Sequence, residues 1–393
     1  MESASSLRYP CIFVHGMFGW GDNEGLNKRL PYWGGTSGSI TEFFGELGIE
    51  AHAASVGPAS SAWDRACELY AQLTGTRVDY GKAHSEKCGH KQFGRKYDKA
   101  LIENWSPENK IHLIGHSFGG TTIRLMAHLL TYGDEAEIKA SGDEVSPLFK
   151  GGNGDMICSI TAICSPHNGS CAYTAAERFH VKNLVRYGTY LYTGAFGRSR
   201  LNGKSVDFHL EQFGLTNTPG LHDCQPFREA IRKIDTSGDH VEFDMSDEGA
   251  NLINEHIKIS PDIFYFSYPY NAVKSIGNGK LSPRYSKFPP LRMTSRVMTK
   301  TVRRNIKEGN NIFRMYNDGL VDTFSSTYPR TEPFVKWSGT DTMKSGIWHV
   351  MPETHGDHGT AIGLFVSKEK IRKFYSDIVD ILYLTEDKKI NNI

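Results

Sequence analysis

Charge of one sign is missing from this sequence: 45 Lys and Arg face 44 Asp and Glu, a net charge of +1. No global field draws the chain to nucleic acid or to an anionic surface, so any electrostatic targeting has to be local. Long apolar runs are missing too, since no stretch approaches the roughly 20 residues needed to span a bilayer. With 39% hydrophobic and 23% charged residues, the composition is that of an ordinary soluble, enzyme-sized protein. The seven cysteines are an odd number without paired spacing; this excludes a disulfide scaffold and predicts buried free thiols. Met1 to Tyr9 lack a basic start followed by an apolar stretch, so no signal peptide is visible. Internal repeats and low-complexity tracts are lacking as well.

What is present is an alternation of two periodicities. Short apolar runs bounded by turn residues, at Cys11 to Val14, Ile111 to Ile114, Met156 to Ile163 and Ile263 to Tyr268, read as buried strands. Helical spacing follows in Ala66, Leu69, Tyr70 and Leu73, in Ile123, Met126, Leu129 and Leu130, and in Ile371, Phe374, Tyr375, Ile378, Ile381 and Leu382. Although 393 residues allow one domain or two, this alternation predicts one α/β domain, a mostly parallel sheet with helices on both faces. Two insertions interrupt it. Residues 171–215 are rich in aromatics, with Val181, Leu184, Val185 and Leu191 at helical spacing; residues 274–308 carry ten Lys or Arg against one acid, Glu308.

The strongest motif is Gly115-His116-Ser117-Phe118-Gly119, preceded by the strand at 111–114 and followed by Gly120 and a helix through Leu130. A serine on a sharp turn between strand and helix projects its hydroxyl above the sheet, and the glycines allow the backbone to crowd there. A hydroxyl is a poor nucleophile at neutral pH and needs a base, which in this arrangement follows in the order Ser, acid, His. Asp318, in Asn317-Asp318-Gly319, and His358, in Gly356-Asp357-His358-Gly359, fit that order. Asp322 or Asp341 as the acid and His355 as the base stay open on spacing alone, and His116 reads as structural. The amides of Phe118 and Met17, the latter after Val14-His15-Gly16, are the candidate donors to an oxyanion. Separately, Asp64 in Trp63-Asp64-Arg65, with His84 and His90 in a Gly- and His-containing loop, suits Zn²⁺, Cys88 being a rival ligand.

These residues resemble a known family. The stretches Val56-Gly57-Pro58, Trp63-Asp64-Arg65-Ala66-Cys67-Glu68, Val78-Asp79-Tyr80-Gly81 and His84 to Arg95 closely resemble the zinc-containing bacterial true lipases, the thermoalkalophilic group and its staphylococcal relatives. Tyr32-Trp33-Gly34-Gly35, Pro166-His167-Asn168-Gly169, Asn317-Asp318-Gly319 and Asp357-His358 extend the match over most of the chain. The resemblance implies an α/β-hydrolase fold over 1–393, with a zinc-site insertion at about 58–100, a lid at about 171–215 and a divergent basic insertion at about 274–308. It implies a Ser117, His358, Asp318 triad, oxyanion amides on Met17 and Phe118, and a structural zinc on Asp64, His84, His90 and Asp244. It further implies a secreted lipase that cleaves acylglycerol esters at a lipid–water interface, with phospholipase, carboxylesterase and non-catalytic lipid-binding protein as rivals. Calcium is predicted absent: where the family carries acids two and seven positions after the histidine, this chain has Thr360 and Phe365, and the loop is expected to pack Leu364 and Phe365 on the final helix.

Overall fold

The computed structural model describes residues 7–173, 206–207, 209–214, 232–233, 236–278, 280–306 and 312–391, with side chains left out at 303–306, 312–313 and 391. The aromatic helix expected near 179–192 lies outside these residues, as do Cys224 and the Lys307–Glu308 end of the basic insertion. Seven strands form one sheet: β1 Cys11–Val14, β2 Ala51–Ala54, β3 Ile111–His116, β4 Ile157–Ile163, β5 Phe264–Tyr268, β6 Phe334–Lys336 and β7 Trp348–Val350. All pairings are parallel, in the order β6-β7-β5-β4-β3-β1-β2. The continuous apolar runs of β1 and β4 are wholly buried, as a parallel sheet covered on both faces requires.

The main helices are α1 Ala62–Thr74, α2 Lys82–Cys88, α3 Phe118–Tyr132, α4 Asp247–His256, α5 Pro289–Ile306 and α6 Lys368–Asn391. Alternation along β1 divides the interior in two. Ile12 and Val14 point into a core with Ala66, Leu69 and Leu73 of α1 and Ile123, Met126 and Leu130 of α3. Cys11 and Phe13 point into a second core, closed by Ile371, Tyr375, Ile378 and Leu382 of α6. The six cysteines that are described are free, five of them buried. No helix among the described residues is long and apolar enough to cross a membrane.

Strand order reverses between β1 and β3, and at such a reversal the loops leaving the carboxyl ends diverge and open a crevice. The loops after β1 and β3 therefore face each other across it.

Candidate active site and metal centre

Ser117 occupies the turn between β3 and α3 with φ 55° and ψ −129°, a conformation that a side chain adopts only under constraint. The amide of Ser117 bonds the Ile163 carbonyl at 2.8 Å, anchoring the turn to β4. A Cβ on Gly119 would collide with the Val14 carbonyl oxygen of β1 and one on Gly120 with Ser165 Oγ, so only glycine lets α3 lie this close to the sheet. As the first residue of α3, Phe118 has an amide with no acceptor inside the helix. Met17 follows Gly16, whose position leaves 2.7 Å between a built Cβ and Ser117 Cβ, and Met17 and Ser117 line the same cavity.

His358 Nδ1 lies 2.7 Å from Asp318 Oδ2. The other Asp318 oxygen accepts from the amides of Leu320 at 2.9 Å and Val321 at 2.7 Å, and the His358 amide donates to the Asp318 carbonyl at 2.9 Å. With Nδ1–H donated to a carboxylate, Nε2 is the free acceptor of a neutral imidazole. The alternatives are occupied elsewhere. Asp322 pairs with Arg314 at 3.3 Å, Asp341 sits in an exposed turn, and His355 stacks on Tyr285 at 4.2 Å. Ser117 and His358 open into a cavity of about 980 Å³ whose described lining is mostly apolar, including Leu291, Val297, Met298 and Leu320.

Three residues given no catalytic role from sequence brace this centre. Tyr32 Oη accepts from the Gly16 amide at 3.0 Å and donates to His116 Nδ1 at 2.7 Å, while His116 Nε2 meets the His358 carbonyl at 3.1 Å. Burial first, then His358, holds the His116 imidazole well below its ordinary pKa, so it is neutral, with its one proton on Nε2. Arg65, fully buried on α1, donates to the His15 carbonyl, to Gly57 O at 3.0 Å and to Thr122 Oγ1 of α3 at 2.9 Å.

Asp357 anchors the histidine loop. Its Oδ2 accepts from Ser286 Oγ at 3.0 Å and from the amides of Lys287 at 2.8 Å and Phe288 at 3.1 Å, and its Oδ1 from the Thr360 amide at 3.1 Å. The expected packing of this loop is half corrected: Leu364 joins the core beside α6, but Phe365 is 51% exposed and stacks on Phe288 instead. A second group of metal-capable atoms, from His116, Cys164 and His358, belongs to this same centre.

At the amino end of α1, Ser61 Oγ caps the Asp64 amide and directs the Asp64 carboxylate inward. His84 stands on α2, stacked on Trp63 at 5.0 Å, and His90 follows the αL glycine, Gly89, that ends α2. Their Nε2 atoms meet Asp64 Oδ1 at 3.3 and 3.8 Å and Asp239 Oδ2 at 3.5 and 3.2 Å. All four atoms are buried and none has a hydrogen-bond partner among the described residues. Donors about 2.0–2.2 Å from a tetrahedral ion are separated by about 3.3–3.6 Å, so these orphaned atoms fit one divalent cation, whose charge two carboxylates balance.

The fourth ligand position is thus taken by Asp239, and the expectation of Asp244 is corrected. Asp244 Oδ2 instead accepts the Ala62 amide at 2.7 Å at the amino end of α1, where burial raises its pKa to about 7. Cys88 Sγ lies 3.9 Å from His84 Nδ1 and within 4.8 Å of a ligand atom of His90 and of Asp239, beside the four orphaned atoms rather than among them. Gln212 Nε2 bonds Asp64 Oδ2 at 2.8 Å, so the cluster ties 209–214 and 239 to the α1–α2 insertion.

A mostly parallel sheet covered by helices, with a serine at the carboxyl end of a central strand and a histidine–aspartate pair beside it, places the fold in the α/β-hydrolase class. The chain belongs to the family described as "Lipase-like, C-terminal domain", whose model matches residues 7–392. It is 35% identical over 390 residues to Lipase 2 of Staphylococcus aureus, covering 96% of this chain and 54% of that protein, about half its length. Its structure superposes on Staphylococcus hyicus lipase with a TM-score of 0.81 at 32% identity, covering 98% of each chain. EstA from Clostridium botulinum gives 0.79 at 32% identity, over 98% of this chain and 89% of that one.

Proposed function

We propose that the protein is a lipase that hydrolyses carboxylic esters of acylglycerols through a Ser117, His358, Asp318 triad, on one α/β-hydrolase domain. The observation that carries this is the 2.7 Å His358–Asp318 pair opening, with Ser117, into a large apolar cavity. His358 Nε2 takes the Ser117 proton as Oγ attacks the ester carbonyl. The amides of Met17 and Phe118 receive the oxyanion of the tetrahedral intermediate, which collapses to an acyl-serine as His358 protonates the departing alcohol. Water, activated by the same imidazole, then releases the acid. An apolar cavity of this size favours acyl chains over small polar acyl groups.

Zinc is our reading of the metal at Asp64, His84, His90 and Asp239. Two imidazoles with two carboxylates at tetrahedral spacing are its donor set, and four protein ligands leave no open position for substrate, so its contribution is structural. We assign no calcium beside His358, because Thr360 is engaged by Asp357 and Phe365 has no side-chain oxygen. Secretion remains part of the proposal, implied by the resemblance.

The test is hydrolysis by the purified protein of triacylglycerol emulsions, phosphatidylcholine vesicles and p-nitrophenyl esters of several chain lengths. The proposal expects long-chain triacylglycerol to be cleaved. Cleavage of phospholipid alone, or of short soluble esters alone, replaces it with the phospholipase or carboxylesterase reading.

A further inference from the structure

The basic insertion has a place in the structure that its sequence did not reveal. Seven Lys and Arg lie between residues 274 and 302, every one exposed, and that stretch contains no Asp or Glu. Three of them, Arg292, Arg296 and Lys300, recur at four-residue spacing on α5 and form a stripe along its outer face. The opposite face of α5, with Leu291 and Met298, is buried and lines the cavity that holds Ser117.

Between these faces stands Met293, 65% exposed and itself part of the cavity lining, so the cationic stripe runs along the cavity's rim. Leu30, also in the lining, is 37% exposed, and Phe365, 51% exposed, stacks on cavity-lining Phe288 at 5.6 Å. Large apolar side chains held in water beside a one-signed stripe suit a surface with anionic heads over an apolar interior. A soluble polyanion has a use for the arginines and none for Met293 or Phe365.

We propose that the rim formed by the outer face of α5 and the exposed Met293, Leu30 and Phe365 is a docking surface for an anionic phospholipid bilayer. Arg292, Arg296 and Lys300 pair with headgroup phosphates while the apolar side chains enter the interface, bringing the cavity mouth against the lipid. That docking serves hydrolysis rests on the proposed lipase reading; the binding itself needs no catalysis.

The experiment uses the full chain carrying Ser117→Ala, sedimented with vesicles of 30 mol% phosphatidylglycerol in phosphatidylcholine and with vesicles of phosphatidylcholine alone. Each basic residue at such a surface contributes about fivefold in affinity, so Arg292→Glu, Arg296→Glu and Lys300→Glu together weaken binding to the anionic vesicles on the order of 100-fold or more. The three corresponding Gln substitutions give a smaller loss, and 0.5 M salt acts in the same direction. With Ser117 intact, the Glu and Gln variants hydrolyse soluble p-nitrophenyl butyrate at the parent's rate, a check that they fold. Charge-dependent binding with no ester hydrolysis by any variant upholds docking and removes the lipase reading. Equal binding to both vesicle types, or unchanged binding after charge reversal, overturns the proposal. Retention on heparin that vanishes on charge reversal while vesicle binding does not assigns the stripe to a soluble polyanion and also overturns it.

Discussion

The phenol of Tyr32 donates to Nδ1 of His116 across 2.7 Å, joining the loop after β1 to the strand that leads into Ser117. Because Tyr32 also receives the Gly16 amide and His116 holds the His358 carbonyl, one chain of hydrogen bonds links the loop after β1 to the histidine loop. Burial pushes the Tyr32 phenol far above its ordinary pKa, so it stays a donor. Tyr32→Phe leaves the Gly16 amide and His116 Nδ1 unpaired, each at a cost of about 1–3 kcal/mol. We expect kcat for p-nitrophenyl butyrate to fall about 10- to 100-fold with little change in KM; an unchanged kcat separates this chain from catalysis.

Asp357 performs the equivalent service for the histidine loop. Asp357→Ala strands the amides of Lys287 and Phe288, and Asp357→Asn keeps one acceptor oxygen. The alanine variant should lose more than tenfold in kcat, by loosening His358, and melt several degrees lower, with asparagine intermediate. Kinetics and melting curves on the pair check this, and alanine and asparagine variants both matching the parent in kcat would refute it.

The metal cluster makes the two nearby acids separable. Asp239→Asn should strip bound zinc, measured by elemental analysis of the purified protein, and lower the melting temperature while soluble-ester hydrolysis survives below the new melting point. Asp244→Asn should keep about one equivalent of zinc and, since its amide oxygen still accepts from Ala62, change stability by no more than about 0.5–2 kcal/mol. Loss of zinc in the Asp244 variant but not in the Asp239 variant would reverse the assignment.

His209 gives the fold a pH dependence. Its Nδ1 lies 3.3 Å from Glu68 Oε2 and its Nε2 3.9 Å from Glu24 Oε1. Burial and then Arg95 lower its pKa, but the two carboxylates outweigh them and raise it to about 9. The folded state therefore keeps a proton that the unfolded chain releases near its ordinary value, roughly 6.5. The stabilisation is full below that value, declines above it and is gone once pH passes about 9. Melting temperature should fall between pH 6.5 and 9.5 more steeply in the parent than in His209→Gln; parallel slopes would count against it.

Sequence showed most of what is local. The apolar runs of β1, β3, β4 and β5 and the glycines at 115, 119 and 120 predicted the sheet and the elbow, because burial on both faces and close backbone approach each demand particular residues. It did not show β2, β6 or β7, whose three or four residues hold no large apolar side chain in β2 and two each in β6 and β7, and which take their pairing from neighbours. Asp239 was missed for a related reason: two acids five positions apart could each reach the histidines, and only the fold sends Asp244 to the α1 terminus. Tyr32, Arg65 and Asp357 each act in part through a partner distant in sequence, His116, Thr122 and Lys287 respectively, and nothing in their spacing announces a role. The basic insertion was legible as charge, while its position at the cavity mouth emerged only from the burial of the other side of α5.

The central claim is that Ser117 attacks the ester, and the turnover of Ser117→Ala on p-nitrophenyl butyrate tests it most directly. Removing the nucleophile from such a triad costs on the order of 10⁶ in kcat. We predict a folded variant with the parent's melting temperature within a few degrees and a rate at or near the uncatalysed background. A variant that keeps even about a tenth of the parent's kcat would contradict the account, since the triad mechanism has no second nucleophile to supply it.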